Sequence, residues 1–182
     1  MIRVALWLLA SLVLAGIVHI VTVLALPAVA TRSAYARLLP IAPANQVVLL
    51  PEPRPEGVAL PFMDPAFATA ICRFDLTAGP LKLQMQVALA YTSATFYTRD
   101  GAAFYAINDR AAAGRMLELE LMTTQQRERV RTDEEVTPAD RLIVESPVSQ
   151  GLIALRALAP EPGAMTSVRA NLAAARCTPQ RQ

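Results

Sequence analysis

The sequence predicts a mainly β protein: an antiparallel β-sandwich with a C-terminal amphipathic helix, preceded by one N-terminal transmembrane helix. Three observations carry that expectation. From Val4 to Thr31 no side chain is charged, a run of 28 residues, whereas a helix of about 20 residues already crosses a bilayer core. "LKLQMQV" (81–87) alternates strictly between apolar and polar residues, the period of a half-buried strand. The other β-patterned stretches follow one another without regular helices between them, which argues for mainly antiparallel pairing.

The apolar stretch Val4–Leu26 is 23 residues long, where the core of a signal peptide runs about 7–15. Length therefore favours a retained anchor. Pro27 followed by Ala28-Val29-Ala30 argues the other way, as a helix breaker and an A-x-A site for cleavage after Ala30. Arg3 and the terminal amine precede the run, and Arg32 and Arg37 follow it, close to a tie in orienting charge. The very short N-terminal tail favours an inner N-terminus and an outer domain. In a bacterium this means a single-pass inner-membrane protein facing the periplasm. His19, the only histidine, falls near the middle of the span. An ionisable group there raises a proton-relay or metal role; the plainer reading is a neutral imidazole hydrogen-bonded within its helix or to another.

The expected division of the chain is an anchor over 1–31, a proline-rich tether over 32–60, a β domain over 61–177 and a tail over 178–182. Prolines at 40, 43, 51, 53, 55, 61 and 65 are half of the 14 in the chain, and they forbid a long helix there. "PEPRPEG" reads as extended backbone, and "QVVLL" (46–50) as a short edge strand. "FATAICRFDL" (67–76) runs into the turn signal "TAGP". In "ATFYTRDGAAFYAIN" (94–108), Asp100-Gly101 suits a two-residue type I′ hairpin turn. Thr98 would then face Ala103, Tyr97 face Phe104 and Phe96 face Tyr105, a strand pair at the heart of the sandwich. "RMLELELM" (115–122) alternates with its leucines inward and Glu118 and Glu120 outward. "TTQQRERV" (123–130) reads as a short polar helix or turn, and "RTDEEVTPAD" as a solvated loop. "RLIVES" and "SQGLIALRALA" are the last strands. Met165, Val168, Leu172 and Ala175 then recur at helical spacing within 161–177.

The net charge of +2 carries no basic footprint of a nucleic-acid binder. Outside the anchor there is no histidine, so a Ser-His-Asp triad, a Cys-His pair or a histidine metal site within the domain is excluded. Dinucleotide, P-loop and EF-hand patterns are missing, and no cofactor is expected. Glu118 and Glu120 share one strand face about 7 Å apart, a spacing open to paired acids but commoner on a solvated face. Asp64, Tyr91, Tyr97 and Tyr105 are the candidates for lining a pocket, with core packing the alternative use of the tyrosines. Cys72 and Cys177 could close a disulfide pinning the C-terminus to the domain, in place of two separate buried thiols.

The blocks "FATAICRFDLTAGPLKLQMQ", "AYTSATFYTRDGAAFYAIND" and "RLIVESPVSQGLIALRALAPEPGAMTSVRANL" resemble the bacterial family known as domain of unknown function 1254, over roughly residues 60–177. The family's first block usually carries Asn-x-Asp-Thr-x-Tyr; here "DPAFAT" (64–69) keeps only Asp64 near the first position. The resemblance implies a β-sandwich. It also implies a second β domain, which many relatives carry in the same chain and which here would be separately encoded. The family has no settled activity, so no catalytic residue transfers. The expected function is a membrane-anchored, non-catalytic binding or accessory module. The alternative is an enzyme subunit whose site forms only with the partner domain.

Overall fold

The computed structural model describes residues 2–29, 33–53, 60, 62–88, 90–112, 114–133 and 142–180. The expected cleavage point after Ala30 and most of "RTDEEVTPAD" lie outside them. Helix α1, Ile2–Val29, contains a segment, Ile2–Leu26, of mean hydropathy 2.5 that is not buried among the described residues. At 1.5 Å per residue its 25 residues extend about 38 Å, long and apolar enough to cross a hydrocarbon core of about 30 Å.

The domain is a sandwich of two sheets. The larger holds β1 (Val47–Leu49), β2 (Phe67–Asp75), β8 (Gln150–Leu158), β4 (Thr92–Thr98) and β5 (Ala103–Asn108), in that spatial order and antiparallel throughout. The smaller is ordered β7 (Leu142–Ser146), β6 (Met116–Thr123), β3 (Leu81–Gln86), β9 (Arg176–Pro179). Alternation decides which side chains meet between them. Leu81, Leu83 and Met85 of β3 and Leu117, Leu119 and Leu121 of β6 face Ala70, Cys72 and Phe74 of β2, with Ile153 and Leu155 of β8 and Phe96 of β4. All are almost wholly buried, and Cys72 is bonded to Cys177 across the two layers.

The mainly antiparallel expectation is refined, and two others are corrected. The smaller sheet is mixed, because β6 and β7 run parallel. A parallel pair needs a crossover of a dozen or more residues. The 18 residues in sequence between Thr123 and Leu142 are long enough for one, and the polar helix α3 (Thr124–Asp133) is its described part. The C-terminal helix, α4 (Met165–Ala173), stops short of the second cysteine. Val168 and Leu172 are buried as the spacing required, but Arg176–Pro179 leaves the helix to pair with β3 as β9. Glu120 was expected on a solvated face and is only 8% exposed, accepting a hydrogen bond from Gln180 Nε2 at 3.1 Å. Glu118, beside it on the same face, pairs with Lys82 and accepts from Gln84 Nε2 at 2.8 Å.

The aromatic hairpin is also revised. Gly101 N–H donates to the Thr98 carbonyl, and Thr98 N–H donates to that of Ala102. The turn is therefore centred on Arg99-Asp100, with Gly101 following at φ +86°, a three-residue loop whose glycine takes the left-handed position. Phe96 faces Tyr105 as expected, but the register shifts so that Tyr97 faces Ala103 and Phe104 bulges out of the ladder. Freed from Tyr97, the Phe104 ring packs inward against Phe96 at 6.1 Å and Phe74 at 6.4 Å. β5 is an edge strand of the sheet, not a central one.

The described start of the proline-rich stretch, residues 33–50, packs on the domain. Ser33 caps the short helix α2 (Ala34–Leu38) by accepting a hydrogen bond from Ala36 N–H. Tyr35, Leu38, Ala42 and Leu50 then cover Ile71 and Leu152 on the outer face of the larger sheet. Asn45 locks this cap to β2 by exchanging hydrogen bonds with the Asp75 backbone. The Thr77 hydroxyl, donating at 2.6 Å, is the main influence holding the Asp75 carboxyl below its ordinary pKa. Partial desolvation opposes it, while the Thr77 amide, Gln150 and Arg73 add to the lowering.

Candidate functional site

The cap covers only part of the larger sheet's outer face. Beyond it, outward positions of β4 and β5 come together because the hairpin register sets Ser93 opposite Asn108 and Thr95 opposite Ala106. With Tyr91, Ile107 and Ala111 they line an open shelf of about 310 Å³, at the lower end of the volumes that hold small ligands. The Tyr91 carbonyl accepts from Leu158 N–H at 2.9 Å, which fixes this end of β4 to β8. Asn108 Oδ1 caps the 3-10 turn Asp109–Ala111 by accepting from Arg110 N–H.

Apart from Asn108 Oδ1, the side-chain polar groups that Ser93, Thr95 and Asn108 bring to the shelf are open to a ligand. Among the described residues, neither the Ser93 and Thr95 hydroxyls nor the Asn108 amide nitrogen has a hydrogen-bond partner. The nearest carboxylate, that of Asp109, accepts a long hydrogen bond of 3.5 Å from Thr92 N–H. On β8, Arg156 stands opposite Ser93 in the ladder. Its guanidinium lies 4.5 Å from the centroid of Phe67, and Phe67 meets Tyr91 edge-on at 6.3 Å. No described carboxylate reaches Arg156. The rim therefore offers a cation held on an aromatic face, with two hydroxyls and an amide inside.

Of the candidates read from the sequence, Tyr91 is on the shelf. Tyr97 turns to the cap and packs on its small core, and Tyr105 packs against Phe96 at 5.7 Å. Asp64 is exposed and closes a turn, accepting from Ala66 N–H at 2.9 Å. His19 stays on α1, and Cys72 and Cys177 form the disulfide in the core. Sequence reasoning passed over Ser93, Thr95, Asn108 and Arg156. The hairpin register already placed Ser93 opposite Asn108, a signal that was available; Arg156 needed the β4–β8 pairing.

No protein-family model matches the sequence, and no curated protein matches it. Among solved structures the chain is similar to the VPA0106 protein from Vibrio parahaemolyticus, with a TM-score of 0.58 and 10% identity. The match covers 80% of this chain and 34% of that one. A protein from Burkholderia cenocepacia aligns over 77% of this chain and 44% of its own, with a TM-score of 0.44 and 11% identity. At 10% identity the likeness to the Vibrio protein is one of fold, and the chain spans about a third of that protein's length.

Proposed function

We propose that this chain is a membrane-tethered, periplasm-facing β domain of the domain of unknown function 1254 type. In this reading it acts as a non-catalytic binding or accessory module through the Tyr91–Asn108 shelf. The observation that carries the reading is the set of open donors on and beside the shelf: the Ser93 and Thr95 hydroxyls, the Asn108 amide nitrogen and the aromatic-held Arg156 guanidinium. A guanidinium matches the paired oxygens of a carboxylate or phosphate, and the hydroxyls and amide suit the remaining polar groups. Tyr91, 46% exposed, offers a face to an apolar body. The ligand class is a small anion bearing a carboxylate or a phosphate. The N-terminal helix supports the tether, and a disulfide inside the domain suits an oxidising compartment.

Amide chemical shifts of the full chain in detergent, titrated with citrate and separately with inorganic phosphate, test this. One of the two should move the amides of residues 91–95 and 106–111 saturably. Arg156→Gln should weaken that response about tenfold, the scale of a charge-assisted hydrogen bond. Unmoved shelf amides with both probes, or an unchanged response in the variant, would sink the oxyanion reading.

A second reading has one observation in its favour. About two thirds of the Vibrio protein lies beyond the match, which leaves room for another domain there. In this reading a second β domain docked on this one completes the shelf and turns a binding surface into half of an enzyme site.

A further inference from the structure

The cap that follows the anchor turns three large apolar side chains outward. Leu38 and Ala42 are buried on the sheet, yet Leu39 and Ile41 between them are 47% and 43% exposed. The same pattern recurs where the chain returns to this core. Leu60 and Met63 pack against it, while Phe62 between them is fully exposed, at 102%. Phe62 holds this position with φ +60°, a left-handed conformation rare for a bulky residue. An exposed phenylalanine in a strained backbone suits a surface that something else covers.

What covers it follows from the covalent chain. Val29 ends α1 and Ala34 begins α2, so the two helices cannot be more than about 18 Å apart. The cap is thus held next to the point where α1 leaves the bilayer. Its charges fit the same partner. Residues 38–51 carry no charged side chain, and Arg37 and Arg99 are exposed cations among the described residues around them. Arg99 lies over the Tyr35 ring at 5.2 Å. Of the nearby acids, Glu52 faces Arg169 at 3.8 Å and Asp64 is engaged in its turn, while Asp100 sits beside Arg99. Apolar side chains with flanking arginines match the interface of a bilayer containing anionic lipid.

We infer that Leu39, Ile41 and Phe62 seat the domain on the surface of the bilayer that receives α1, so that the cap lies against lipid and the opposite sheet faces away. This rests on α1 being a retained anchor. The test uses the purified full chain in vesicles of phosphatidylcholine and phosphatidylglycerol carrying a doxyl quencher high on the acyl chain. Trp7→Phe removes the native tryptophan, and a single reporter is placed by Phe62→Trp, Leu39→Trp or Ile143→Trp. Ile143 is exposed on the far face of the smaller sheet, so it serves as the distant site.

Quenching about threefold or more stronger for Phe62→Trp and Leu39→Trp than for Ile143→Trp is expected, because interfacial apolar groups sink about 5–10 Å into the headgroup boundary. Equal quenching at all three positions, in chains that float with the vesicles, overturns the docking surface and leaves the anchor standing. Chains that do not float overturn the anchor itself, and the docking surface with it.

Discussion

Replacing Cys72 and Cys177 together by alanine is expected to lower the unfolding free energy of the domain by about 3–5 kcal/mol. The two sulfurs are separated by 105 residues in sequence and join β2 of one sheet to β9 of the other, in the centre of the core. A crosslink of that span removes many open conformations from the unfolded chain, and the loop-closure account puts its effect near the upper part of the usual range. β9 depends on it in a second way. Its four residues pair only with β3, at a sheet edge, and such a short strand holds few ladder bonds of its own. Urea unfolding of the full chain in detergent, followed by far-ultraviolet circular dichroism with and without reductant, checks this. Reductant should shift the wild-type midpoint towards that of the double variant and leave the double variant where it is. A wild-type midpoint indifferent to reductant would contradict the crosslink's role.

The second large effect is expected at Gly151. A Cβ there would stand 2.2 Å from the Tyr97 carbonyl oxygen and 2.6 Å from the Phe74 ring. Neither neighbour has room to yield. The carbonyl belongs to β4, paired with β8, and Phe74 is wholly buried beneath it. Gly151→Ala must therefore part the two strands or tilt a core aromatic, at about 2–4 kcal/mol. Gly101→Ala is the matched comparison. Its added Cβ meets nothing within 4 Å, so only the left-handed backbone resists it, at about 1–2 kcal/mol. Thermal unfolding of both variants should rank Gly151→Ala well below Gly101→Ala. The reverse order would mean that the close packing of β8 on β4 is not as described.

What could be read from the residues depended on whether the cause was local. The alternation of "LKLQMQV" and of the leucines in "RMLELELM" decides a face without reference to the rest of the chain, and both strands lie as that pattern requires. Asp100-Gly101 marked the hairpin but left its turn type open, since glycine serves equally in a type I′ turn or after a type I turn. Only the pairing shows which, and with it that Phe104 bulges. "RCTP" looks like the end of a helix because Ala175 continues the apolar spacing; its strand state comes from β3 and from the disulfide, both distant in sequence. Glu120 obeyed its alternation and still became buried, because cover on an outer sheet face comes from elsewhere in the chain. An isolated glycine within an apolar strand pattern signals close backbone approach, so Gly151 in "SQGLIAL" was open to that inference.

The shelf was the least legible part. Its hydroxyls are ordinary strand residues, and the feature that makes them a site is convergence: a hairpin register, a β8 neighbour bearing Arg156, and a cap that ends before covering them. None of these has a motif. The cap itself hid behind its prolines, which rule out a long helix but leave a five-residue α2 and a three-residue β1 free to form.

The intact mass of the mature chain decides whether, as proposed, a disulfide-bonded β domain is held at a membrane by its own N-terminal helix. The chain should carry a C-terminal tag and be recovered from fractionated bacterial cells, then weighed before and after reduction. The account predicts a chain that retains α1, recovered from the membrane fraction and gaining two hydrogens on reduction. A chain beginning at Thr31 in the soluble fraction, or one whose mass is indifferent to reductant, would contradict it.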